Sequence, residues 1–210
     1  MEKNFGRLLG TRYTLLGVYG EERTGKIKVY KLADETDWGS FTLEGKGTEE
    51  EPYLIQSAED LQAFSNYVNR GMSFADQYVE QTADIDMDGK KFTPIGAFSG
   101  ESYFYGTYNG KGHIIRNLSI QGKATEDVGL FGRLEGAVYN LGLEAGSLTG
   151  DCVGAIASYA VNPEAEIVNC FTDVNVTSSR AGGITDNFAG SVVNCVSAGA
   201  LTGGENADAI

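Results

Sequence analysis

A chain of 210 residues, 41% of them hydrophobic, is long enough to bury a continuous core, which sets disorder aside. Its formal charge of −13 and the lack of any basic stripe argue against nucleic acid as a partner, because phosphate backbones are bound by lysine and arginine with release of counterions. No apolar run approaches the roughly eighteen residues that a membrane-spanning helix needs. Residues Met1–Gly6 are not followed by the apolar segment of a secretory signal, so the chain is expected either to stay in the cytoplasm or to begin after a removed leader. There are 29 glycines against three prolines, and the glycines gather at recurrent turn sites, as repeated tight corners require.

Residues 1–45 read as a small β-strand segment. Arg12–Tyr19 and Lys26–Tyr30 have the composition of short strands, and the polar turn Gly20–Gly25 between them predicts a hairpin. A second segment, 46–77, opens with the small, charged and proline residues of a linker, Gly45–Pro52. Tyr53-Leu54-Ile55 then predicts a strand. Ser57 as N-cap, Asp60 three residues on, Leu61, Phe64 and Val68 on one face beside Tyr67, and Gly71 as a stop predict a helix that covers the open end of the repeats C-terminal to it. Such a cover is physically required, because a stack of coils exposes apolar side chains and unpaired strand edges at its end.

From residue 78 to 210 the chain reads as stacked β coils. Tyr78 to Met87 predicts a strand and Phe92–Gly96 a strand end and turn. Phe104–Ile115 combines an Asn-Gly turn with aromatic strand formers. A motif of two residues, asparagine and then leucine or cysteine recurs at Ile115–Leu118, Val138–Leu141, Ile167–Cys170 and Val192–Cys195, its asparagines 23, 29 and 25 residues apart. A glycine-led motif keeps the same period out of phase, in Val128–Phe131, Val153–Ile156, Ala181–Ile184 and Ala207–Ile210. Two interleaved motifs of this period are the signature of a solenoid, with room for about five coils. Asn117, Asn140, Asn169 and Asn194 are expected to form a structural ladder at a repeated bend, where asparagine tolerates left-handed geometry. The last copy stops in mid-motif at Ile210, which suggests further coils beyond it.

Cys170 and Cys195 stand where Leu118 and Leu141 stand in earlier copies, so they are expected to act as small core hydrophobes; one-coil spacing leaves a disulfide between them open.

Several of these segments together resemble bacterial surface proteins that carry GLUG-motif repeats. They are Thr48–Ile55, the helix after it, Thr82–Asp86, Phe104–His113 and the Gly129-Leu130-Phe131-Gly132 type repeats. The resemblance covers residues 46 to 210 and implies an all-β fold, a right-handed parallel β-helix with an N-terminal capping α-helix. It also implies an extracellular or cell-wall location on an adhesin-like protein, and it brings no catalytic residues. The later copies depart from it, since Gly182–Thr185 and Asp208–Ile210 lack the phenylalanine.

Candidate chemistry is sparse. Asp84, Asp86 and Asp88 spell the first half of a calcium loop, D-x-D-x-D-G, but the twelfth position holds Ile95 instead of glutamate, and apolar Ile85 and Met87 fit a strand with one buried face better. His113 is the only histidine and falls in a turn, which favours a structural role. Asp84, Asp86, Glu101 and Arg116 could supply the carboxylates and base of a polysaccharide-cleaving β-helix, by fold analogy alone. Tyr103, Phe104, Tyr105 and Tyr108 are the better ligand candidates, because aromatic rings suit sugars and protein partners, with two of the four expected in the core. The expectation is therefore a non-enzymatic structural or adhesive module that displays loops to a protein or glycan on a host or neighbouring cell. A carbohydrate-active β-helix that binds or cleaves polysaccharide is the alternative.

Overall fold

The computed structural model describes residues 41–97, 102–123 and 126–208, so the expected hairpin around Gly20–Gly25, Glu101 and the end of the last motif copy lie outside the described residues. From Thr42 onward the chain forms one unit. It begins with β1 (Tyr53–Ile55) and α1 (Ala58–Asn69), then β2 (Tyr78–Gln81) and β3 (Ile85–Asp86). The next coil carries β4 (Thr107–Asn109), β5 (Ile114–Arg116), β6 (Ser119–Gln121), β7 (Asp127–Val128) and β8 (Phe131–Arg133). After it come β9 (Ala137–Tyr139), β10 (Gly142–Gly154) and β11 (Ala157–Ala160), then β12 (Glu166–Val168), β13 (Phe171–Gly182) and β14 (Thr185–Phe188). The last strands are β15 (Ser191–Val193), β16 (Val196–Ser197) and β17 (Leu201–Asp208).

Among the described residues, strands pair only with their counterparts one coil away and always in parallel, which makes a β-solenoid of about five turns with three sheets. The first sheet runs β1-β2-β4-β9-β12-β15, the second β3-β5-β10-β13-β16 with β6, β7 and β17 on its flanks, and the third β8-β11-β14. The segment expected as one strand from Tyr78 to Met87 is two, β2 and β3, split by a corner between the first and second sheets. Each full coil likewise has three sides, because its corners are single residues that a reading by hydrophobic alternation passes over.

Those corners explain the asparagines. Asn140, Asn169 and Asn194 each leave a strand of the first sheet with φ of 53°, 57° and 53°, the left-handed region that asparagine tolerates and that turns the chain into the second sheet. Their amides form a chain along the solenoid: Asn140 Nδ2 donates to Asn109 Oδ1 at 3.0 Å, Asn169 to Asn140 at 3.1 Å and Asn194 to Asn169 at 2.6 Å. Asn117 does not belong to this column. It lies just after β5 in the second sheet, also left-handed at 55°, and donates to Asp86 Oδ1 at 2.8 Å. Asn109 takes its place in the ladder, because the motif at Ile115–Leu118 copies the residues of one corner onto another. Ala145 turns the corner beside Asn117 with φ of 53° and no side chain to favour that geometry.

Inward columns build the core. In the first sheet Val79, Tyr108, Val138 and Ile167 are in register and fully buried. In the second, Ile85, Ile115, Leu143, Thr172 and Ser197 shrink along the axis, as do Val128, Val153 and Ala181, and in the third Phe131, Ala157 and Thr185. The interior therefore tapers from an aromatic N-terminal end to small side chains. This is why later repeats dispense with the phenylalanine: Ile184 is still fully buried, and Thr172 Oγ1 donates to Gly183 O at 2.7 Å inside the coil. Gly154 sits where a Cβ would press against backbone of its own and the next coil, 2.7 Å from Asp186 N, so only glycine fits that corner.

The helix closes the wide end. Ser57, extended at φ −148°, accepts from Asp60 N at 3.1 Å, while the Asp60 carboxylate accepts from Gln56 N and Ser57 Oγ, and Gly71 at φ 102° ends the helix. Leu61, Phe64 and Val68 are fully buried. The Phe64 ring meets Phe74 and Phe104 edge-on at 5.0 and 5.3 Å and Tyr108 at 6.0 Å, and Phe104 continues to Phe131 at 5.3 Å. Ser65 and Asn69 donate to the Thr93 and Pro94 carbonyls, tying the plug to the next coil.

These contacts predict two stability outcomes. Phe64→Ala should cost about 3–5 kcal/mol in chemical denaturation, since it opens a cavity in the aromatic plug, and a near-neutral effect would contradict the capping role. Ala145→Gly should raise stability by about 1 kcal/mol by relieving a left-handed alanine, an outcome opposite to that of glycine in ordinary strand.

Candidate functional site

The third sheet carries the aromatic cluster. Phe104 pairs as a bridge with Leu134 and points inward with it, both fully buried, so its neighbours Tyr103 and Tyr105 face the other way. Beyond them Arg133 on β8, Tyr159 on β11 and Asn187 on β14 lie in register. The Arg133 guanidinium stacks over the Tyr103 ring at 5.0 Å and the Tyr159 ring at 5.6 Å, and Nη1 donates to the Tyr103 hydroxyl at 3.0 Å. Its Nε donates to Asp127 Oδ2 at 2.9 Å, with both side chains largely shielded from water. Tyr105 lies 6.0 Å from Tyr103 and is 48% exposed. The stripe Tyr105–Tyr103–Arg133–Tyr159 thus crosses successive coils as a row of flat π surfaces, its one cation neutralised by Asp127. Partial burial, then the nearby Glu135 carboxylate, raises the Tyr105 phenol above its ordinary range, so the hydroxyl stays protonated and can donate.

Two of the four expected ligand aromatics are not at the surface. Phe104 and Tyr108 are fully buried in the plug under α1, where the Tyr108 hydroxyl donates to Gln81 Oε1 at 3.0 Å. Sequence reading missed Arg133 and Tyr159. Phe131 and Arg133 are two apart and would share a face in a regular strand, but the Gly132 and Arg133 N–H groups both point at Ile95 O, at 2.8 and 3.5 Å. This bulge shifts the alternation and turns Arg133 away from the core. No spacing in the sequence marks it; Gly132 is the sole hint.

The acidic candidates lie elsewhere, on the second sheet. Asp84 accepts from Ile114 N and Arg116 Nη1, each at 3.1 Å, and meets His113 Nδ1 at 3.2 Å; Arg116 Nε donates to Glu144 at 3.1 Å. Asp86 accepts from Asn117 Nδ2 and Asp88 N, both at 2.8 Å. The Ile114 N–H and then Arg116 hold Asp84 below the usual carboxylate range, and Asn117 and the Asp88 N–H do the same for Asp86. This geometry gives Asp84 and Asp86, two of the three aspartates of the D-x-D-x-D-G run, a structural use. Ile85 and Met87 point into the core, the Asp84 and Asp86 carboxylates are used to tie one coil to the next, and among the described residues no group of three or more His, Cys, Asp or Glu is placed to hold a metal ion. Of the carboxylate set considered for glycan cleavage, Asp84 and Asp86 are engaged in this way with Arg116 and Asn117.

No family model matches the chain. It is 34% identical over 176 residues to halomucin of Haloquadratum walsbyi, covering 77% of this chain and 2% of that protein. It is 35% identical over 128 residues to a provisionally named Gly-rich membrane protein of Evansella cellulosilytica, covering 60% of this chain and 14% of that one. The chain therefore spans only a small fraction of these curated relatives. Among solved structures, a provisionally named immunoglobulin A1 protease from Bacteroides ovatus superposes with a TM-score of 0.58 at 26% identity, over 76% of this chain and 47% of that chain. Among the described residues, no helix is long and apolar enough to cross a membrane.

The Asp84 contacts predict a pH signature. A carboxyl whose folded pKa is lowered stabilises above its unfolded value near 3.9 and loses that contribution as pH falls through the folded pKa. Asp84→Asn should therefore be less stable than the parent at neutral pH, with the gap closing below about pH 4 in denaturant titrations; a gap that stays constant across pH would refute the assignment.

Proposed function

We propose that the chain is a structural and adhesive module of a cell-surface protein of the GLUG-repeat kind, and that its ligand is a neutral saccharide docked on the Tyr105–Tyr103–Arg133–Tyr159 stripe. The observation that carries the reading is this row of tyrosine rings and one guanidinium beginning at the half-exposed Tyr105, because aromatic faces match the C–H faces of sugar rings while the tyrosine hydroxyls supply hydrogen bonds. Asn187, in register with Tyr159, extends the stripe with an amide. A net charge of −13 and an arginine already paired with Asp127 favour a neutral over an acidic glycan. Surface location is supported by the likeness to halomucin and to the Gly-rich membrane protein, in keeping with the implied extracellular or cell-wall setting.

Binding of the chain to an array of neutral and acidic glycans tests the proposal. Neutral oligosaccharides should be retained, and Tyr105→Ala should weaken retention by roughly tenfold or more while leaving the unfolding midpoint nearly unchanged. Selective capture of acidic glycans, or a Tyr105→Ala variant that binds like the parent, would overturn it.

A further inference from the structure

The two cysteines next to the ladder asparagines are placed to react with each other. Asn169 and Asn194 share the same left-handed geometry and are hydrogen-bonded at 2.6 Å, so Cys170 and Cys195 leave successive corners in the same direction. The next residues, Phe171 and Val196, are in parallel register. Neighbouring parallel strands lie about 4.8 Å apart, inside the roughly 4.4–6.8 Å Cα separation that a disulfide spans. Cys195 Sγ is 3.4 Å from Cys170 N, which donates to it, and both thiols are free. Cys170 is 2% exposed, whereas Cys195 on the outer coil is half-buried and open to a small reagent.

We propose that Cys195 is a peroxide-sensitive thiol whose sulfenic acid is captured by Cys170 of the preceding coil, so that oxidation staples the two coils together. Hydrogen peroxide supplies the oxidising equivalents. The Cys195 thiolate attacks the O–O bond and becomes a sulfenic acid, and the hydroxide released leaves as water after taking up the thiol proton. The Cys170 thiol then attacks the sulfenic sulfur, and a second water leaves as the S–S bond closes. The division of labour comes from the surroundings. The adjacent Cys170 thiol, and then the Cys170 N–H that donates to the Cys195 sulfur, lower the Cys195 thiol from its ordinary value, while the same contact and burial raise Cys170, which suits one to attack peroxide and the other to resolve. Cys152, the third cysteine, is raised by burial and makes the internal control.

The test is peroxide treatment of the whole chain and then non-reducing peptide mapping. A Cys170–Cys195 linked pair should form, with a mass loss of two hydrogens reversed by dithiothreitol and a melting midpoint higher by roughly 5–10 °C. In Cys170→Ser, with no resolving thiol, dimedone should trap a sulfenic acid at Cys195. Iodoacetamide labelling of the untreated parent near pH 7 should strike Cys195 before Cys152. Preferential labelling of Cys152, or peroxide-treated folded protein in which Cys170 and Cys195 remain unlinked, would overturn the proposal.

Discussion

In-register parallel stacking is the constraint on which everything else in this molecule depends. Each coil satisfies its backbone through the coils above and below it, so an inward side chain finds its like about 4.8 Å away along the axis. Such an arrangement holds only if every coil turns at the same places. The left-handed asparagines enforce this, because their backbone makes the corner and their amides bind the corner of the next coil. Local chemistry and global repeat thus specify the same geometry, which is what gives a repeat protein a single register.

A stack also needs an end. Here the widest part of the interior, filled by Phe104, Tyr108 and Phe131, is sealed by Phe64 of α1. The taper that begins at this plug lets later coils use alanine, threonine and cysteine inside. It is the reason a pair of thiols can occupy the position after the ladder asparagine that Leu141 holds earlier. The function of the outer face is separate from this economy of the core. Tyr103 and Tyr105 reach the surface because they alternate with Phe104, the plug's own residue.

Much of the fold was legible in the chain. The period of the two motifs, the Ser57–Asp60 cap and the alternation of Leu141 and Leu143 with polar residues each report a local requirement that residues record directly. What escaped was geometry that one residue decides. The corner between β2 and β3 is hidden inside an apolar stretch, and Asn117 carries the right motif on the wrong corner while Asn109 carries the ladder with no motif of its own. The binding stripe escaped for a similar reason: the bulge at Gly132 reverses which face Arg133 joins, and Tyr159 is brought beside it only by stacking across coils, a contact between residues far apart in sequence.

A double-mutant cycle on Asn140 and Asn169 tests the stacked corner most directly. Glycine at either position keeps the left-handed turn and removes only the amide. With Asn169 donating to Asn140, the double variant should be less destabilised in chemical denaturation than the two single variants summed, by about 1 kcal/mol. Strict additivity would mean that the two corners do not touch, and that the coils are not stacked in this register.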